Sequence, residues 1–499
     1  VSLFRRKPLD MLLREAERED GLHRTLGPMA LTAMGIGAVI GAGIFVATGS
    51  AASSVAGPAL MVSYAIAGVV CIFAALCYAE FAAMAPVAGS AYTYAYATLG
   101  EFAAWIIGWD LVLEYAVGAA TVANGWSGYF QSVLAKFNIA LPAALAKAPW
   151  VYDQGSFVVT GSIVNLPAVV VTAVMTAVLV KGISESAKFN TLMVFIKTAV
   201  VLFVILVGMF YVNPENWQPF APFGWTGVSF FGIPVHGQTN AGGEPVGALA
   251  GAAIIFFAYI GFDSVSTHAE EARNPRRDVP IGIIASLLIC TVLYIAVVAV
   301  LTGMVPYQKI SKDAGVSDAF AQAGLPWAEL VIAAAGVAGI TSVLLVMMLS
   351  APRVFLAMAR DGLLPSGFFG AIHPKFRTPW KSTVAVGVFV AVLAGFLPID
   401  ALLHLTNIGT LFAFVMVCAA VAIMRRTHPE AVRPFRCPAV PLIPILGMGG
   451  CLLLMLSLPA ANWWRLAAWL GAGMLIYFGY SRHRSVLANL PQRTDSKPS

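Results

Sequence analysis

The chain has 499 residues, of which 59% are hydrophobic and only 11% charged, and its mean hydropathy is +0.82. Soluble globular domains carry about a quarter charged residues, so this composition excludes one and describes an integral membrane protein. The net charge of +6 does not point to nucleic acid, because the basic residues are scattered over many short loops; no nucleic-acid partner is expected.

The apolar runs are about 20 residues or longer and nearly free of charge, which predicts spanning α-helices rather than barrel strands of alternating polarity. Before them lies an amphipathic stretch with Arg5, Arg6, Lys7, Arg14 and Arg18, which does not read as a cleavable signal. Twelve spans are predicted, at about 27–51, 58–83, 101–134, 161–180, 187–212, 247–268, 278–304, 327–358, 382–398, 402–424, 440–458 and 463–481. An even number puts both termini on one side. The tails and loops of that side hold roughly 23 Lys and Arg against about five opposite (Lys136, Lys147, Lys309, Lys312, Arg465), so both termini are expected in the cytoplasm, with the protein in the cell (inner) membrane.

The first span contains MGIGAVIGAGIFVATG over Met34 to Gly49, with glycines at 35, 37, 41, 43 and 49. Each glycine weakens a helix by roughly 1 kcal/mol relative to alanine, so a break near Gly41-Ala42-Gly43 is expected. Inside a membrane, freed backbone groups are tolerated only where they face protein or a water-filled cavity, which marks the break as a candidate ligand site. The N–H groups opening one half-helix suit a carboxylate, and the carbonyls ending the other suit an ammonium. Together they describe the backbone of an amino acid. Close helix packing through small residues is the competing reading of the same glycines.

Long connections are expected at 136–160 and 213–246. The second, with Trp217, Pro219, Phe220, Pro222 and Trp225, is expected to pack over the extracellular mouth rather than hang free. The sixth span reads GALAGAAIIFFAYIGFDSVSTHAEEARNP. Its apolar half ends near Phe257, the stretch from Tyr259 to Asp263 resists a regular helix, and Glu270, Glu271 and Arg273 follow at the inner surface. Interruptions in the first and sixth spans point to an inverted repeat of five plus five helices with a midplane site between the halves. The expected division is a cytoplasmic segment 1–26, a first repeat 27–212, a second repeat 247–424, two extra helices within 440–481 and a cytoplasmic tail 482–499. Oligomer or lipid contact is the default role of the extra pair, and a small membrane subunit is left open. The six cysteines (Cys71, Cys77, Cys290, Cys418, Cys437, Cys451) lie mostly inside apolar runs with no CxxC, and read as packing thiols.

GIGAVIGAGIF, the Tyr78-Ala79-Glu80 end of span 2, FFAYIGFDSVST followed by EEARNPRRDVP, and PRVFLAMARDGLLP at 352–365 resemble the amino acid–polyamine–organocation superfamily. Within it the chain is most similar to the bacterial branch of the cationic amino acid transporter family, from about Leu22 to the end of span 12. The resemblance implies a LeuT-type fold with helices 1 and 6 discontinuous. Eukaryotic cationic carriers have two further spans, which are not expected here.

Ionisable groups at membrane depth are functional candidates by default. Asp110 and Glu114 stand four apart on span 3 and share a face, which makes Glu114 a candidate proton carrier or, alternatively, a protonated structural carboxyl. Lys197 lies about ten residues into span 5, too deep to snorkel easily to either surface. The resemblance implies that an ammonium here sits between helices 1, 5 and 8, where sodium-coupled relatives hold a cation, and so implies proton coupling; a fixed cationic pin is the alternative. Asp263, just after the second interruption, is expected either to bond to the Glu114 region or to cap the inner half-helix. Glu80 and Arg353 read as gate or structural charges near the inner surface.

The two breaks place the substrate carboxylate on the N–H groups of Gly41, Ala42, Gly43 and Ile44, and its ammonium on the carbonyls of Ile40, Phe257, Ala258 and Ile260. Phe256 or Phe257 would gate the site, as an aromatic of this span does in relatives. Met347 on span 8 matches a small polar residue of the eukaryotic cationic carriers; methionine fills space and offers no strong acceptor, which favours neutral over cationic substrates. The expected function is therefore proton-coupled uptake of L-amino acids, neutral ones first, with the proton gradient as energy source and no cofactor. An amino acid/polyamine exchanger, uptake of Arg or Lys, and a non-transporting amino acid sensor are the alternatives. No nucleophile–base or metal-ligand spacing suggests an enzyme.

Overall fold

The computed structural model describes residues 5–8, 26–84, 90–153, 156–182, 186–267, 272–312 and 315–489. Glu270 and Glu271, and most of the two tails, lie outside the described residues. Each apolar run predicted above is helical over most of its length. The main helices are α1 (Pro28–Val39), α2 (Leu60–Met84), α3 (Ser90–Thr98), α4 (Glu101–Lys136), α5 (Leu166–Lys181), α6 (Ser186–Gly208) and α7 (Ala248–Ile255). They continue with α8 (Pro275–Met304), α9 (Pro326–Arg360), α10 (Trp380–Phe396), α11 (Ile399–Thr427), α12 (Leu442–Leu456) and α13 (Ala460–Ile476).

Among the described residues, seven helical runs suffice by length and composition to cross a membrane, or eight if the bent pair from Leu442 to Arg484 is one span. The difference from twelve has a physical origin. The first two predicted spans form one 57-residue helical run, Pro28–Met84, turned at Gly57 (φ 61°) and Pro58. The helices α5 and α10 have only 16 and 17 residues, and α12 meets the following helical run, which begins with α13, at 113°.

The helices pack in a pattern that repeats along the chain. Helix α4 packs chiefly on α9, α2 on α8, and α5 on α10. Contacts of α1 with α8 are matched by contacts of α7 with α2, and contacts of α4 with α11 by contacts of α9 with α6. At the far end of the chain, α13 is fastened to α4: Trp105 Nε1 donates to Gly473 O at 2.9 Å. Trp109 and Trp469 each donate to the other's carbonyl, at 2.9 and 3.1 Å, with rings stacked 4.5 Å apart.

The connection from 213 to 246 divides. Its first part packs on α8, where Asn216 Nδ2 donates to Gly303 O at 2.7 Å and Trp217 Nε1 to Ala299 O at 3.2 Å. Its second part is an antiparallel hairpin, β1 (Gly227–Phe230) with β2 (Ile233–Thr239), and β2 is exposed throughout. The expected packing of this connection against the helices thus holds for its first part and not for the second strand. All six cysteines are unpaired and buried.

Candidate functional site

The first break forms where α1 stops at Val39 and Ile40 turns extended (ψ 108°). The chain resumes as a π turn over Gly43–Ala47, with Phe45 N–H donating to Gly41 O at 3.2 Å. The N–H groups of Gly41, Ala42, Gly43 and Ile44 therefore precede the first bond of the new helix and have no partner within it. All four residues are buried. The second break follows α7. A 3-10 turn over Phe256–Tyr259 ends at extended Ile260 (ψ 133°), and Gly261 takes φ 114°, a conformation that excludes a side chain without strain.

The two breaks lie against each other. A Cβ on Gly43 would stand 2.2 Å from Ala258 Cα, and one on Gly261 would stand 2.9 Å from Ala38 O. Glycine at both positions lets backbone meet backbone, so the close-packing reading of the glycines is also correct at this crossing. Tyr294 on α8 ties the breaks together, its hydroxyl lying 2.8 Å from Val39 O and 3.1 Å from Ala258 O. Of the carbonyls expected to meet an ammonium, Phe257 O accepts Ile260 N–H at 3.2 Å and Ala258 O is the one bridged by Tyr294. Each keeps a second lone pair.

Lys197 is fully buried, and its ammonium donates to Gly37 O and to Ser342 Oγ at 3.0 Å. Its side chain thus joins α1, α6 and α9, one turn below the first break, where the resemblance puts it. The carboxylates are gathered on another side of the second break. Asp263 Oδ2 accepts the Tyr115 hydroxyl at 2.5 Å. Glu114 is next in sequence to Tyr115 and lies within electrostatic reach of Asp263 and Asp110. Both oxygens of Glu114 and of Asp110, and Oδ1 of Asp263, are buried without a protein partner. Bonding toward the Glu114 region is therefore the arrangement found for Asp263.

Phe256 packs edge-on against Phe414, with centroids 5.6 Å apart. Phe257 instead lines a small cavity together with Ala42, Val46, Thr121, Lys312 and Asp400, so of the two aromatics it is the one that borders open space. Met347 is buried on α9, and a Cβ on Gly118 would be 3.2 Å from its sulfur; the thioether faces α4. Glu80 is held by Arg425 (2.9 and 2.7 Å) and by Arg433 (3.2 Å), which makes it a clamp between α2, the end of α11 and the loop that follows it.

Sequence reasoning missed Tyr294, Tyr129, whose hydroxyl donates to Phe45 O at 2.7 Å, and Asn407. The Asn407 amide donates to Ala253 O and Ile254 O at 3.0 and 2.7 Å, just ahead of the second break. Each is a lone polar group in an apolar run, and the rule that singled out buried charges would have found Asn407 had it been applied to amides.

A comparison with protein families matches residues 26–476 to the amino acid permeases. The chain belongs to that family. This permease is a multi-pass membrane transporter and not an enzyme. Among its relatives, the methylthioribose transporter of Bacillus subtilis (strain 168) is 46% identical over 486 residues, 97% of this chain and 99% of the relative. The branched-chain amino acid permease BcaP of the same organism is 46% identical over 487 residues, again 97% and 99%. Cationic amino acid transporter 4, vacuolar, of Arabidopsis thaliana is 37% identical over 440 residues, 86% of this chain and 68% of the relative, in line with the resemblance drawn from the motifs.

Proposed function

We propose that this permease imports neutral L-amino acids together with protons, by alternating access around the paired breaks. The observation that carries the reading is the run of N–H groups from Gly41 to Ile44, without partners in their own helix, in a segment whose Ala42 borders the Phe257 cavity. A carboxylate satisfies such donors, and the nearby carbonyls of Ile40, Phe257, Ala258 and Ile260 suit an ammonium. Lys197 is proposed as the proton-linked group, because its ammonium holds the helix that must move. Glu114 and Asp263 are proposed as further stations for the proton. Met347 supports a neutral substrate, since it brings no acceptor for a cationic side chain.

The same reading takes the chain as twelve spans in a LeuT-type fold, with repeats at 27–212 and 247–424, two extra helices within 440–481, and both termini in the cytoplasm of a cell with the protein in its inner membrane. The packing of α2 on α8, of α4 on α9 and of α5 on α10, each five spans apart, supports it. A second reading has support of its own: the relative named for methylthioribose is as similar as the one named for branched-chain amino acids. Uptake of labelled leucine into proteoliposomes under an imposed proton gradient, with no internal amino acid, tests the first reading and excludes strict exchange if it proceeds. Methylthioribose and arginine as competitors distinguish the alternatives. Uptake blocked by methylthioribose but not by valine would overturn the amino acid assignment.

A further inference from the structure

A groove away from the breaks lies between the start of α8 and the α11–α12 loop. Its polar end is formed by Asn274, Arg276 and Arg277, and its wall by Pro434 and Phe435. Both arginines are exposed, in the first turn of a 30-residue helix. The acid of that turn, Asp278, is turned inward at 5% exposure and accepts the Asn274 N–H at 3.2 Å, and among the described residues no acidic one lines the groove. Two guanidinium groups and a helix N-terminus therefore present one sign of charge at its mouth.

Below the mouth the lining is apolar. Ile281, Ile284 and Leu288 follow at the three- and four-residue spacing of one helix face. From Arg277 to Leu288 the helix rises roughly 17 Å, close to the roughly 15 Å hydrocarbon depth of one leaflet. An acidic protein segment would match the mouth but not this depth of apolar wall; a lipid matches both.

We propose that this groove holds an anionic glycerophospholipid, its phosphate on Arg276 and Arg277 and an acyl chain along Ile281, Ile284 and Leu288. Basic pockets at the membrane surface recognise such headgroups. The lipid would also bear on transport, because the same turns of α8 touch α1 on their other side. A Cβ on Gly282 would lie 2.9 Å from Leu31 Cβ, and one on Gly35 would lie 2.4 Å from Ser286 Oγ. Lipid in the groove would brace α8 against the half-helix that ends at the first break.

The test uses the full chain in detergent, with thermal unfolding followed after addition of phosphatidylglycerol, phosphatidylcholine of the same acyl chains, or inorganic phosphate. Phosphatidylglycerol is expected to raise the unfolding temperature beyond phosphatidylcholine. The difference should vanish in the variant carrying R276Q and R277Q together, and should shrink in Ile284→Trp, which fills the groove and leaves the arginines intact. Equal stabilisation by the two lipids, a preference retained in the double variant, or stabilisation reproduced by phosphate alone would overturn the proposal. If the double variant does not fold, Ile284→Trp decides: an unchanged preference for phosphatidylglycerol overturns it.

Discussion

The ammonium of Lys197 on α6 donates to the carbonyl of Gly37 on α1, four residues before Gly41. The first half-helix, whose movement the proposed transport cycle requires, is thus held by an ammonium at Gly37 as well as by the Tyr294 hydroxyl at Val39. Lys197→Ala is expected to abolish uptake driven by a proton gradient while leaving ligand binding largely intact, measured by proteoliposome uptake beside a thermal-shift binding assay. Accumulation at the native level in this variant would remove the lysine from the coupling mechanism.

Gly43→Ala should be far more damaging than its size suggests, because the new methyl would sit 2.2 Å from Ala258 Cα. Overpacking of this kind costs about 1–3 kcal/mol, and here it would also part the two breaks. Gly449→Ala is the matched control, on α12 with nothing within 4 Å of the added carbon. Uptake should be lost in the first variant and kept in the second. Equal behaviour of the two would show that the breaks need not touch.

Replacing Met347 with serine is expected to admit larger or cationic side chains. The thioether fills the space against Gly118, and a hydroxyl leaves room and adds an acceptor. Competition of leucine uptake by arginine and lysine reads the change. An unaltered competition profile would mean that this part of α9 does not bound the substrate.

Glu80 is 2% exposed and holds two arginines, so Glu80→Ala should destabilise the protein by about 3 kcal/mol, leaving Arg433 buried without its carboxylate. Thermal unfolding in detergent measures it. A near-native unfolding temperature would mean that water replaces the carboxylate.

Much of this architecture is legible from residues alone, and the boundary is physical. Long apolar runs name the helices because the hydrocarbon leaves no other use for them, and Gly41 and Gly43 mark the first break because glycine is the weak point of a helix. Lys197 stands out by depth. The partners of the broken ends do not: Tyr294 and Tyr129 look like ordinary core tyrosines until the carbonyls they meet are seen. The choice between Phe256 and Phe257 is equally hidden, since neighbouring residues point in different directions and the 3-10 turn resets which one faces the cavity. The β1–β2 hairpin escaped because its strands are short and sit in a stretch marked mainly by Gly, Pro and aromatics.

The indoles of Trp105, Trp109 and Trp469 join α13 to α4 through three N–H to carbonyl bonds. The last helix is therefore no detachable appendage. Cutting the chain after residue 440 would bare the flank of α4 and strand two indole donors among lipid tails, where each lost acceptor costs several kcal/mol. The smallest working form of this carrier keeps its C-terminal hairpin, and whatever body carries α4 through the transport cycle takes α13 along as cargo.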